Sequence, residues 1–132
     1  MPDFTGISHI DLSVSDVEKS ADWYVETLGL RRVRRSDLDN RIMVVLLHEP
    51  TCLVIGLNQH HEPSADRFDE RRPGLDHIAF ACADRAELES WAARLDELGV
   101  AHGGIKDAHY GSGVSFRDPD GIALEFFAPP AG

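Results

Sequence analysis

Cysteine is scarce in this sequence, with only Cys52 and Cys82 present. Met1 to Gly6 carries no secretory pattern, so no disulfide framework is expected. Both thiols are read as reduced packing residues of a cytoplasmic protein. Long apolar runs are missing as well, which leaves no candidate for a membrane span. Basic residues are the minority, 13 Lys and Arg against 23 Asp and Glu, for a formal net charge of -10. Nucleic acid and anionic membranes are therefore not expected as partners. The chain does have ample apolar content, 42% over 132 residues, enough for one globular domain or two small halves. Seven histidines are a generous number for this length.

Two of those histidines introduce an internal repeat. Ile7-Ser8-His9-Ile10-Asp11-Leu12-Ser13-Val14 is echoed by Leu75-Asp76-His77-Ile78-Ala79-Phe80-Ala81-Cys82. Trp23 follows His9, and Trp91 follows His77, by the same fourteen positions. Leu28-Gly29-Leu30 and Leu98-Gly99-Val100 then close each copy. Three features recurring in one order define two similar modules. The first spans about residues 4-57 and the second 74-128, with 58-73 as a charged, proline-bearing linker, all within a single domain, 1-132.

Ser8 to Val14 alternates as a strand, with Ile10, Leu12 and Val14 on one face and His9, Asp11 and Ser13 on the other. Ser15 and Glu18 have capping-box spacing for a helix that carries Val17, Ala21, Tyr24 and Leu28 and stops at Gly29. Arg31–Leu38, Ile42–His48 and Cys52–Leu57 read as strands, with Cys52 packing beside Val54 and Gly56. In the second module His77–Cys82 is a strand, and Asp84 with Glu87 opens a helix. Leu88, Trp91, Ala92, Leu95 and Leu98 form that helix's buried stripe. Val100–Lys106 is a strand, Ala108–Gly113 a glycine-rich loop and Val114–Arg117 a strand. Asp118-Pro119-Asp120-Gly121 is a turn, and Ile122–Phe127 is the last strand. Trp23 and Trp91 are assigned to helix packing. Arg31, Arg32, Arg34 and Arg35 are assigned to the surface.

The alternation sets His9, His77 and Glu125 on strand faces that look away from the helices. A glutamate between Leu124 and Phe126 in an apolar strand is costly to bury without a partner. Two imidazoles and a carboxylate on one face suit a metal ion. Alternatively, Glu125 is an edge residue facing water and the histidines pack.

The same residues resemble the vicinal oxygen chelate superfamily, which includes glyoxalase I, extradiol dioxygenases and the fosfomycin- and bleomycin-resistance proteins. The resemblance rests on Gly6-Ile7-Ser8-His9-Ile10, Trp23-Tyr24, the Leu75 to Phe80 run and Phe116-Arg117-Asp118-Pro119-Asp120-Gly121 leading to Leu124-Glu125. It implies an α+β fold of two βαβββ modules forming a cupped mixed sheet. It also implies a divalent metal (Fe(II), Mn, Ni, Co or Zn) on His9, His77 and Glu125, and a homodimer.

By the repeat, Glu125 corresponds to Gly56 or a residue beside it, where glyoxalase I-like members keep a glutamate. The three-ligand set therefore resembles the dioxygenase branch more than the glyoxalase I branch. The fosfomycin branch keeps basic residues after the glutamate strand, and this chain has none there. The resemblance implies an enzyme, a dioxygenase or a lyase or isomerase, acting on a small molecule that chelates the metal through neighbouring oxygens. For the general acid or base the candidates are His60 or His61 in the linker and His109 or Tyr110 in the glycine-rich loop, with His61 and Tyr110 preferred. Asp11 either supports the metal ligands through hydrogen bonds or is hydrated near the rim. The competing expectation is a metal-free protein that binds a drug or metabolite, as bleomycin-resistance members do.

Overall fold

The computed structural model describes residues 1–131. The chain divides into two compact units, Met1–Ala65 and Asp66–Gly132. The first runs β1 (Ile10–Ser13), α1 (Val17–Leu28), β2 (Arg31–Asp37), β3 (Arg41–His48) and β4 (Leu53–His60). The second runs β5 (Ile78–Ala81), α2 (Arg85–Glu97), β6 (His102–Ala108), β7 (Gly111–Arg117) and β8 (Ala123–Ala128). Each unit forms a four-stranded mixed sheet, ordered β1-β4-β3-β2 in one and β5-β8-β7-β6 in the other. In each sheet the first and last strands pair in parallel and the rest antiparallel. The parallel pair needs a crossover, and the helix after the first strand provides it. The fold class is α+β, two βαβββ modules.

The helices pack as their periodicity dictates. Val17, Ala21, Tyr24 and Leu28 are buried along α1, facing Leu12, Val44, Leu46, Ile55 and Leu57 of the sheet core. Each such aliphatic side chain contributes about 1.5–3 kcal/mol on burial. Gly29 ends α1 in the left-handed region (φ 72), which a side chain would resist. In α2, Leu88 and Leu95 are fully buried, and Trp91 stacks on Phe126 with ring centres 4.2 Å apart. Among the described residues no helix is long and apolar enough to cross a membrane.

Several boundaries differ from the sequence expectation. The α1 cap is Asp16, whose backbone is extended and whose carboxylate accepts the Lys19 N–H at 3.1 Å, so the box expected from Ser15 to Glu18 is shifted by one. Strand β4 continues to His60, because Arg41, Ile42 and Met43 pair with His60, Gln59 and Asn58. The Gln59 side chain also accepts the first helical N–H, that of Val17, at 2.8 Å. His60 thus lies on a strand and not in the linker. The glycine-rich stretch is not a loop either. Gly111 opens β7, and only His109 and Tyr110 turn. A Cβ at Gly111 would strike the Phe127 ring and the Ala128 carbonyl, so this glycine clears a close approach within the sheet.

Cys52 also departs from expectation. It is exposed in the turn before β4 with φ 60 and does not pack; Cys82 is buried, and both thiols are free. Strand β2 lies at the outer edge of its sheet and carries a bulge between Arg32 and Arg34 that leaves Val33 unpaired and exposed. Its arginines sit at the surface as expected. Arg31 pairs with Glu49, Arg32 with Glu18 and Asp22, and Arg35 with Glu18 and Asp37.

Candidate functional site

A concavity lies within the second unit. It is a cleft of about 420 Å³ whose lining includes His77, Asp76, Glu125, Ser115, Arg117 and Glu70. It lies at the ends of the strands, where Leu124 and Phe116 border it as well as Glu125 and Ser115. Leu124, Phe126 and Ala128 are buried on the helix side, while Ala123, Glu125 and Phe127 are half-buried on the other. The turn before β8 is held by Asp118. Its carboxylate accepts the backbone N–H groups of Asp120 and Ile122 at 2.9 Å, and Gly121 takes a φ of 80. Aspartate and glycine are the residue types that such a turn demands.

His77 immediately precedes β5, and its Nδ1 meets Asp76 Oδ1 at 2.7 Å. A carboxylate partner makes Nδ1 the protonated nitrogen and leaves the Nε2 lone pair free to ligate. Glu125 stands opposite Ala79 of β5 and Ser115 of β7. Its carboxylate lies over Gly113, where a Cβ would come within 3.2 Å of Oε1. Among the described residues it makes no hydrogen bond or ion pair. A half-buried carboxylate without a partner among the described residues fits a cation, and the imidazole–carboxylate donor set fits a divalent metal.

His9 is placed in the first unit, just before β1, with Nδ1 2.9 Å from Ser8 Oγ. Among the described residues no group of three or more His, Cys, Asp or Glu is gathered as a metal cluster. The structure therefore brings together His77 and Glu125 of the expected ligands, through their common cleft.

The acid–base candidates fall at strand ends. Tyr110 is 65% exposed at the β6–β7 turn, its ring stacked on Phe127 at 6.2 Å and edge-on to His109. Phe127 shares the face of Glu125, so Tyr110 stands over that face. His61 is exposed just past β4, its backbone N–H donating to the Asn40 carbonyl at 2.9 Å.

Two cleft residues escaped the sequence analysis. Arg117 donates to both oxygens of Glu70, the shorter contact 2.6 Å, and to the Gly121 carbonyl at 2.8 Å. Arg117 holds the Glu70 carboxyl below its ordinary range, and Glu70 raises the guanidinium in turn. The signal was available for Arg117, which shares the strand parity of Ser115. It was absent for Glu70, whose segment has no periodicity.

The two βαβββ units define the class of fold. The chain belongs to the Glyoxalase/Bleomycin resistance protein/Dioxygenase superfamily, whose family model matches residues 6–126. It superposes with a TM-score of 0.91 on a glyoxylase/bleomycin resistance protein/dioxygenase domain from Frankia sp. EAN1pec, at 34% identity, covering 98% of this chain and 96% of that one. It is 29% identical to a catechol-2,3-dioxygenase of Bacillus subtilis over 94% of this chain and 41% of that protein. It is also 26% identical to the metallothiol transferase FosB of Staphylococcus saprophyticus, over 90% of this chain and 74% of that protein. The chain spans about two fifths of the length of the curated dioxygenase relatives it matches.

Proposed function

We propose that this chain is a metal-dependent enzyme in which His9, His77 and Glu125 hold one divalent ion, Fe(II), Mn, Ni, Co or Zn. Its substrate is a small molecule that offers two neighbouring oxygens, such as a catechol or an α-hydroxyketone. The observation that carries this is Glu125, a half-buried carboxylate with no partner among the described residues, lining the same cleft as a histidine whose Nδ1 is already engaged. When bound, the ion acts as a Lewis acid that acidifies a substrate hydroxyl.

The other roles belong to the chain's own side chains. Asp76 fixes the ring of His77. Phe127 gives the substrate an apolar surface beside Glu125. Tyr110 above that ring, or His61 beyond β4, moves the proton. Gly56 leaves the first module without the glutamate that glyoxalase I-like members use, which favours dioxygenase chemistry over that isomerisation. The likeness to a catechol-2,3-dioxygenase supports the same choice. A cytoplasmic homodimer is the expected setting.

Elemental analysis of protein purified without chelator tests the ion. Stoichiometric transition metal that is lost in His77→Ala supports the proposal. A metal-free protein that binds small apolar ligands overturns it in favour of a drug- or metabolite-binding role. Catechol consumption with Fe(II) under air separates ring cleavage from a lyase or isomerase reaction.

A further inference from the structure

The two units make the same strand pairing with one exchange. In the second unit Ala79 of β5 stands opposite Glu125 of β8. In the first, Asp11 of β1 stands opposite Gly56 of β4. The registers match residue for residue, Ile10 with Ile55 and Ile78 with Leu124, so Gly56 holds the place of Glu125 and Asp11 that of Ala79. The first unit has not lost its carboxylate. It carries it on the neighbouring strand.

The exchange is built into the packing. A Cβ at position 56 would lie 2.7 Å from Asp11 Cγ and 3.0 Å from Oδ2, and closer still to Oδ1. The Asp11 carboxylate thus rests over Gly56, as that of Glu125 rests over Gly113. It is also aimed. Asn58, 5% exposed, donates its Nδ2 to Asp11 Oδ2 at 3.1 Å, while its Oδ1 accepts from Arg41 Nε at 2.9 Å. Because Arg41 can only donate, the amide's orientation is determined, and its N–H must point to Asp11. A buried amide held by a guanidinium therefore fixes one oxygen of an otherwise exposed aspartate and leaves Oδ1 without a partner among the described residues. Metal-bound carboxylates are held in this way by hydrogen bonds to the oxygen that does not ligate. Asp11 also lies two residues beyond His9, on the same face by strand alternation.

We propose that Asp11 Oδ1 is a further donor to the divalent ion, so that the first unit binds through a His9-x-Asp11 pair. This rests on the metal reading above.

The test is Mn(II) binding to the full chain after metal removal, followed by the loss of the free-ion electron paramagnetic resonance signal, with thermal melts run in parallel. Asp11→Asn keeps size and the capacity to accept from Asn58, so it should fold as the wild type and weaken Mn(II) binding by about tenfold or more. Gly56→Glu alone should lower the melting temperature through its clash with Asp11. Combined with Asp11→Ala, which recreates the Ala79–Glu125 arrangement, it should recover both folding and most of the affinity. If His77→Ala abolishes binding but Asp11→Asn binds like the wild type, Asp11 is not a donor and the parent proposal stands. A double variant as weak as Asp11→Asn overturns the exchange. A wild-type protein that takes up no Mn(II) removes both proposals together.

Discussion

Asp76 and His77 are adjacent in sequence and joined through their side chains, Oδ1 to Nδ1 at 2.7 Å. The contact selects the tautomer that directs Nε2 outward. Replacing Asp76 by Ala is expected to weaken divalent-ion binding by about tenfold to a hundredfold. Helicity and melting temperature should barely change, since both side chains are exposed. Calorimetric titration of the metal-stripped variant checks this, and unchanged affinity would show the pairing to be incidental.

Phe126 anchors the second unit. It is 3% exposed and contacts the rings of Phe80, Trp91 and Phe116. Phe126→Ala should cost about 3–5 kcal/mol in urea unfolding, with Phe126→Leu losing markedly less. Equal losses in the two variants would mean that the ring stack, and not the buried volume, carries the stability.

The two thiols should differ in reactivity. Burial, with the carboxylates of Glu87 and Asp84 nearby, pushes Cys82 up to about 11, while Cys52 lies exposed in a turn. An aromatic disulfide reagent at pH 8 should modify one thiol in the native chain and two after unfolding. Substituting Cys52 should remove the native reaction. Because the folded value of Cys82 is raised, its contribution to stability is complete below the ordinary thiol value and is lost as pH climbs through about 11.

Acid should act in the opposite sense at the β6–β7 hairpin. The Arg85 guanidinium, helped by the Ser112 hydroxyl, holds Asp107 at about 2. A depressed carboxylate stabilises the fold above its unfolded value and stops doing so as pH falls through the folded one, so the window runs from about pH 4 down to about pH 2. In Asp107→Asn the urea midpoint should change less across that window, and added salt should shrink the difference, since the pair is exposed. A midpoint that follows the wild type throughout would rule the pair out as a contributor.

Period-two alternation was enough to put Glu125 on the face away from Leu124 and Phe126, and the repeat of His, Trp and Leu-Gly was enough to find both modules. What remained hidden depended on neighbours far away in sequence. Gly111 and Gly113 look like loop residues until Phe127 and Glu125 are seen leaning across them. Asn58, Gln59 and His60 look like linker until Arg41 to Met43 pair with them. Asp11 reads equally as a support for the ligands or a hydrated rim residue until the parallel register sets it over Gly56. The α1 cap moved by one residue because Asp16 and Ser15 are both capable of capping, and only backbone angles decide between them.

The kinked outer strand has a bearing on solution behaviour. A flat, apolar border would invite a strand from another molecule to add to it. Here the bulge at Val33 breaks the regular spacing of amide donors, and guanidinium groups flank it on either side. This margin of the first sheet is thereby disfavoured for lateral growth by strand addition.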